Sequence, residues 1–212
     1  MLFGYREDGT RIHISEYTDG DVFCLDKHPL IAKKGGIRQH HFSHKSNTNC
    51  RYNNNKGEWH RCWQDRVPTN MQEIRMVKGD KIHIADVVVG SHVIEYQHSP
   101  ISKTDIDDRQ SFYPSLGYDI IWVFDTSSWS YSVIERRGKV ITIVKRTGPG
   151  FPLTASYRYP VSKIYDFNKK EVLRVTCEKG NKITGVIMNM MEFDNAFLGT
   201  TNSDIRPFHH SI

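Results

Sequence analysis

The 212-residue chain lacks any apolar run long enough to cross a bilayer. A spanning helix needs about 18 or more such residues, and the longest uninterrupted stretch is Ile120-Ile121-Trp122-Val123-Phe124. Its amino terminus, MLFGYREDGTRIH, has no apolar signal region, so the expected location is cytoplasmic, or nuclear in a eukaryotic or viral setting. Cysteine is scarce: Cys24, Cys50, Cys62 and Cys177 form no Cys-x-x-Cys pair, which argues against a disulfide framework and for reduced thiols or metal ligands. No internal repeat and no long low-complexity segment is present. What the chain does have is the makeup of a folded protein: 38% hydrophobic and 25% charged residues, with 4 Trp, 10 Tyr and 10 Phe. Disordered segments do not carry that apolar content. Lys and Arg number 29 against 24 Asp and Glu, a net charge of +5 with 11 histidines in reserve. That balance suits a polyanionic partner such as nucleic acid.

Three regions differ in texture. Residues 1–55 are rich in His, Lys, Asn and Gly, with short strand-like pieces at Asp21-Val22-Phe23-Cys24 and Leu30-Ile31-Ala32, and end in the polar stretch 46–57. From Glu58 the periodicity sharpens. Trp59, Cys62, Trp63 and Val67 share a helical face stopped by Pro68. Strand patterns follow over 71–77, 82–89 and 92–98, with Lys78-Gly79-Asp80 as a turn and Gly90-Ser91 as a two-residue hairpin loop. Ser102-Lys103-Thr104-Asp105 reads as a helix cap, with Ile101 and Ile106 as its staple, so a helix is expected from Lys103. The apolar run 118–124 reads as a buried strand. The core order is α-β-β-β-α-β. Residues 127–212 alternate in 131–135, 139–145 and 171–176, around a Gly/Pro-rich stretch at 147–152, with one helix expected near 187–197. This region reads as a β-rich appendage without assignable chemistry. The expected division is 1–55, 56–126 and 127–212.

The hairpin carries the chemistry. With Gly90-Ser91 as its loop, Val88 faces Val93, Asp86 faces Glu95 and Ile84 faces Gln97. Like charges directly opposed are destabilising, and an uncompensated carboxylate among these apolar neighbours is costly. A hard divalent cation such as Mg²⁺ removes both penalties. Gln97 shares the face of Glu95. The alternative is a solvated hairpin face in which Lys81 or Arg75 balances the acids.

These residues also resemble a family. His83-Ile84-Ala85-Asp86-Val87, then Val93-Ile94-Glu95-Tyr96-Gln97-His98-Ser99-Pro100-Ile101-Ser102, then Arg109, Phe112-Tyr113 and Ile121-Trp122-Val123 are similar to the nuclease domain of competence protein CoiA-like proteins, members of the PD-(D/E)xK superfamily. The resemblance extends to Glu58-Trp59-His60-Arg61-Cys62-Trp63 and to Gly35-Gly36-Ile37-Arg38 with His41-Phe42-Ser43-His44-Lys45. It implies a mixed α/β (α+β) fold with a restriction-endonuclease-like αβββαβ core, and a deoxyribonuclease that hydrolyses phosphodiester bonds with Mg²⁺ or Mn²⁺. Asp86 and Glu95 would hold the metal and its water, and Gln97 would stand where much of the superfamily has lysine. A glutamine offers donors without charge, so activation of water would fall more heavily on the metal. Glu58 and His60, at the edges of the first helix, are implied as accessory catalytic groups, or else are an ordinary exposed glutamate and a helix-edge histidine. Glu73 can also point into the site.

Arg109 and Tyr113 lie four apart on one helical face, as phosphate contacts or as a buttress beneath the hairpin. Lys33, Lys34, Arg38 and His41 are further DNA-contact candidates. Cys24, His28, His41 and His44, with Cys50 close behind, offer soft and borderline ligands for a structural Zn²⁺, although the second cysteine that relatives carry is Lys27 here. The expected partner is DNA, with no membrane, and the oligomeric state stays open, a homodimer included. Other readings of the same residues are a non-catalytic DNA-binding scaffold or a zinc-stabilised interaction module.

Overall fold

A computed structural model describes residues 1–36, 40–46, 50, 57–148, 161–167 and 170–199. Arg38, most of the polar stretch 46–57 and residues 149–152 lie outside the described residues. The chain divides into two compact units, Met1–Gly57 and Glu58–Ile212.

The first unit holds two small antiparallel ribbons. One pairs β1 (Phe3–Tyr5) with β2 (Arg11–His13), the other β3 (Leu30–Lys33) with β4 (His41–His44). Leu2, Phe3, Val22, Leu30 and Phe42 form its core together with Cys24 and Cys50. Gly4 lies against this core so closely that a Cβ there would sit 2.2 Å from Val22 Cγ2. The strand expected at 21–24 is reduced to isolated bridges of Phe23 with Tyr5 and Pro29. Phe23 exchanges both backbone hydrogen bonds with Tyr5 at 2.8 Å, and the chain then turns at Cys24–His28.

The second unit begins with α1 (Glu58–Gln64), β5 (Gln72–Lys78), β6 (Lys81–Val89), β7 (His92–Gln97), α2 (Lys103–Phe112) and β8 (Asp119–Asp125). This is the expected α-β-β-β-α-β order. It continues through β9 (Ser130–Arg137), β10 (Val140–Thr147), β11 (Val161–Asp166), β12 (Glu171–Lys179) and β13 (Lys182–Asn189) into the single turn α3 (Met190–Phe193) and a π turn over Asp194–Leu198. The fold is mixed α+β, dominated by strands. The nine strands among the described residues of this unit form one sheet, in the order β5-β6-β7-β8-β11-β12-β13-β10-β9. The residues after 126 therefore extend the sheet of the preceding core.

Local chemistry explains these elements. Ser102 caps α2 by accepting a hydrogen bond from the Asp105 N–H at 3.0 Å, and the staple residue Ile106 is fully buried. Such a cap satisfies a helix N–H that has no partner within the helix. β8 pairs in parallel with β7 on one side and β11 on the other. It is buried on both faces, covered by α1 and the π turn on one side and α2 on the other, which is why its sequence is a continuous apolar run rather than an alternation.

The helix expected near 187–197 is present from Met190 on, as α3 and the π turn, and is corrected only at its start. Residues 187–189 belong to β13, paired with β12 in register. Asn189 then ends the strand as the cap of α3, in a capping box with Glu192. The turn is held by a buried ion pair between Arg66 and Asp194.

Candidate functional site

The β6–β7 hairpin has the expected register, Val89 with His92, Val88 with Val93 and Val87 with Ile94. The ladder ends there, one residue short of the expected pairing of Asp86 with Glu95. Beyond that point Ala85 to Lys81 pair with β5, while Glu95, Tyr96 and Gln97 pair with β8. The sheet forks, with Asp86 on one arm and Glu95 on the other.

A fork leaves backbone groups that must find other partners. Asp86 Oδ2 accepts the Tyr96 N–H at 3.0 Å, standing in for a strand carbonyl. Gln64 of α1 donates to the Asp86 carbonyl at 3.0 Å. The fork is thus stabilised by side chains, and Asp86 is locked by its own place in it.

The neighbouring strand is distorted at the same level. The register of β5 with β6 sets Gln72 against Val87 and Ile74 against Ala85, placing Glu73 opposite Asp86. Glu73 has φ +48°, a left-handed conformation uncommon for a side chain with a Cβ. Strict alternation would put Gln72, Ile74 and Met76 on one face. Instead Gln72 donates to the Gln64 and Val67 carbonyls at the end of α1, while Ile74 and Met76 join the core under α2. Ala85 and Val87 part in the same way. Three acids, Glu73, Asp86 and Glu95, therefore occupy consecutive strands at one level of the sheet, all buried. Backbone strain of this kind concentrates at functional sites.

The basic residues named in the alternative reading, a solvated hairpin face, lie elsewhere. Lys81 pairs with Asp108 of α2 instead, and Arg75 is exposed. His60 of α1 lies with Nε2 3.1 Å from Asp86 Oδ1. Glu95 is held from α2: Arg109 bonds Oε2 and the Tyr113 hydroxyl donates to Oε1 at 2.5 Å. The Glu95 carboxylate raises the Arg109 guanidinium above its ordinary value. Burial, and then the charge of Glu95, push the Tyr113 phenol up as well, so both remain donors. Arg109 and Tyr113 thus both meet the Glu95 carboxylate from the side of α2.

Gln97 donates its amide to the Ser99 carbonyl. Glu58 is exposed in the first turn of α1. Two buried acids not singled out in the sequence lie in register at the ends of β8 and β11. Asp125 contacts His98 Nδ1 at 2.6 Å, and Asp166 accepts from the indoles of Trp59 and Trp63 at 2.7 and 2.9 Å. Their signal was hidden because β11 carries Lys163 and Asp166 in a strand buried on both faces.

Of the candidates in the first unit, Lys33 is exposed and pairs with His41 across the ribbon. Lys34 is bonded to the Tyr17 carbonyl. Cys24, His28 and His44 come together with Cys50, their ligand atoms all within 4.8 Å of one another. Such a cluster can hold a metal of the zinc type. His41 is absent from it because, three residues before His44 on one strand, it points to the other face. Among the described residues this Cys/His group is the tight cluster of metal-type ligands, whereas the fork offers carboxylates from separate strands.

Each carboxylate oxygen of Asp86 and Glu95 has a protein partner: Tyr96 and His60 for Asp86, Arg109 and Tyr113 for Glu95. A carboxylate oxygen has two lone pairs, and metal-binding carboxylates are themselves oriented by hydrogen bonds of the kind Tyr96, Tyr113 and Arg109 provide. No helix of the described residues is long and apolar enough to cross a membrane. No curated protein and no solved structure matches the chain. Residues 84–141 match the family described as Competence protein CoiA, nuclease-like domain, the stretch that contains Asp86, Glu95, Gln97, Arg109 and Tyr113.

Proposed function

We propose that the chain is a metal-dependent deoxyribonuclease of the PD-(D/E)xK type, with residues 56–126 as its catalytic core. The observation that carries this reading is the fork between β6 and β7, which sets Asp86 and Glu95 on diverging strands inside the segment that matches a nuclease-like family. The order of elements in the core supports it, as does the left-handed Glu73 beside Asp86.

Asp86 and Glu95 would hold Mg²⁺ or Mn²⁺. When bound, such an ion supplies Lewis acidity toward a phosphate oxygen and lowers the pKa of its water. The remaining work belongs to the chain. Tyr96 and Gln64 fix Asp86 at the fork. Tyr113 and Arg109 fix Glu95, and the guanidinium adds positive charge where a scissile phosphate would approach. His60 sets an imidazole beside Asp86, with Nε2 3.1 Å from Oδ1, as an accessory group. Gln97 contributes an uncharged amide. DNA is the proposed substrate, in keeping with the chain's positive balance.

The test is a cleavage assay on linear duplex, supercoiled circular and single-stranded DNA, with Mg²⁺ or Mn²⁺ and with EDTA. Cleavage that requires the metal and disappears in Asp86→Ala is expected, and cleavage of circles would show that free ends are not required. A folded protein that binds DNA but cleaves none of the three substrates would favour the scaffold reading.

A further inference from the structure

We infer that Cys24, His28, His44 and Cys50 form a four-coordinate structural zinc site in the first unit, independent of the carboxylate fork. With Zn–S near 2.3 Å and Zn–N near 2.0–2.1 Å, a tetrahedral ion sets S···S at about 3.8 Å and S···N at about 3.6 Å. Cys24 Sγ lies 3.7 Å from Cys50 Sγ and 3.5 Å from His28 Nδ1. The sulfur separation is far beyond the roughly 2.0 Å of a disulfide. All four ligand atoms lie within 4.8 Å of one another, so closing on one ion asks the widest pair to draw in by at most on the order of 1 Å.

The local backbone is shaped for this. The Lys27 N–H bonds the Cys24 carbonyl at 3.0 Å, and the Cys24 N–H bonds the His28 carbonyl at 2.9 Å. Lys27 at φ +62° tightens the turn, returning the His28 imidazole to the thiol four residues earlier. The His28 N–H points at Cys24 Sγ at 3.4 Å, which orients the sulfur within the turn. β4 supplies His44 on the face opposite His41. The turn thus offers its two ligands as Cys-x-x-x-His, with His44 and Cys50 completing the four.

Its role follows from composition and surroundings. Two thiolates and two imidazoles fill all four positions, the closed arrangement of structural rather than catalytic zinc. Cys24 and Cys50 are buried in the core of the first unit, whose described residues form two short ribbons. In so small a unit, metal binding contributes directly to folding.

The test uses the full chain, purified without chelator and reconstituted with Zn²⁺. Elemental analysis is expected to give about one zinc per chain for the wild type and for His41→Ala, and much less for Cys50→Ser and His44→Ala. Because those two variants can lose the metal by unfolding, the wild type is also loaded with Co²⁺. Intense visible d–d bands with a thiolate-to-cobalt charge-transfer band are expected, as for tetrahedral S₂N₂ ligation. A zinc-free protein, a weak octahedral cobalt spectrum, a Cys24–Cys50 disulfide, or equal loss of zinc in His41→Ala and Cys50→Ser would each overturn the site. DNA cleavage is not part of the readout, so the zinc site and the nuclease reading can fail separately.

Discussion

Replacing Glu95 with alanine is expected to abolish DNA cleavage and also to weaken the fold. The carboxylate is 3% exposed and takes both Arg109 and Tyr113. Its removal leaves a largely buried guanidinium and a buried phenol without their common acceptor, at a cost of about 3 kcal/mol, the lower end for breaking a buried pair. Glu95→Gln separates the two effects. A glutamine retains an oxygen for Tyr113 and the volume of the side chain, but loses the charge that would hold a divalent cation. Cleavage by Glu95→Gln is therefore expected to fall by about 10²–10³-fold or more, the scale seen when one electrostatic contributor to a transition state is removed, with a smaller loss of stability than in Glu95→Ala. Cleavage rates and urea midpoints measured on both variants check this. A Glu95→Gln protein with wild-type activity would remove Glu95 from the chemistry and leave it only as the anchor of α2.

The second large effect is on stability. Arg66, just after α1, and Asp194 in the π turn pair with side chains 4% and 1% exposed. Arg66 also donates from Nε to Asp194 Oδ1 at 3.0 Å. Asp194→Ala strands the guanidinium in the core, and a loss of about 3–5 kcal/mol is expected, a large share of the roughly 5–15 kcal/mol that stabilises a typical domain. Burial holds the Asp194 carboxyl above its ordinary value, and Arg66 only partly offsets it. A carboxyl that is protonated more readily in the folded state than in the unfolded chain does not drive acid unfolding, so the lesion should be evident at neutral pH. Urea denaturation measures it. A loss below about 1 kcal/mol in Asp194→Ala would mean that the guanidinium relaxes to solvent and that the pair does not anchor the turn.

The parts of this molecule that were legible in the sequence are those where pattern and partner coincide. The hairpin register followed from Gly90-Ser91 and the apolar run of β6 and β7. The cap at Ser102 and the doubly buried β8 followed from residue type alone. The family resemblance was read over roughly residues 22–125; the match covers 84–141, which takes in the hairpin, α2 and β8 but not the upstream motifs at 35–45 and 58–63. What stayed hidden depends on long-range partners. The ladder stops at Val87 because β6 is drawn to β5 and β7 to β8, a competition that no local pattern records. β11 escaped notice because Lys163 and Asp166 disguise its burial, their charges being met by Glu178 and by two indoles. The partners of the acids came from the helices, His60 from α1 and Arg109 from α2, rather than from neighbouring strand positions. In the first unit three of four cluster residues were legible from spacing. The choice of Cys50 over His41 required knowing which face of β4 each histidine occupies.

The central claim is that the fork at Asp86 and Glu95 holds a divalent cation. It is tested most directly by titrating the zinc-loaded full chain with Mn²⁺ and counting bound ions by electron paramagnetic resonance, beside Asp86→Asn. The wild type is expected to bind at least one Mn²⁺ that the variant, with the fork's hydrogen bond to Tyr96 retained through the amide oxygen, does not bind. Equal Mn²⁺ binding by the two proteins would contradict the claim, leaving these acids to the protein groups that already meet them, His60, Tyr96, Arg109 and Tyr113 among them.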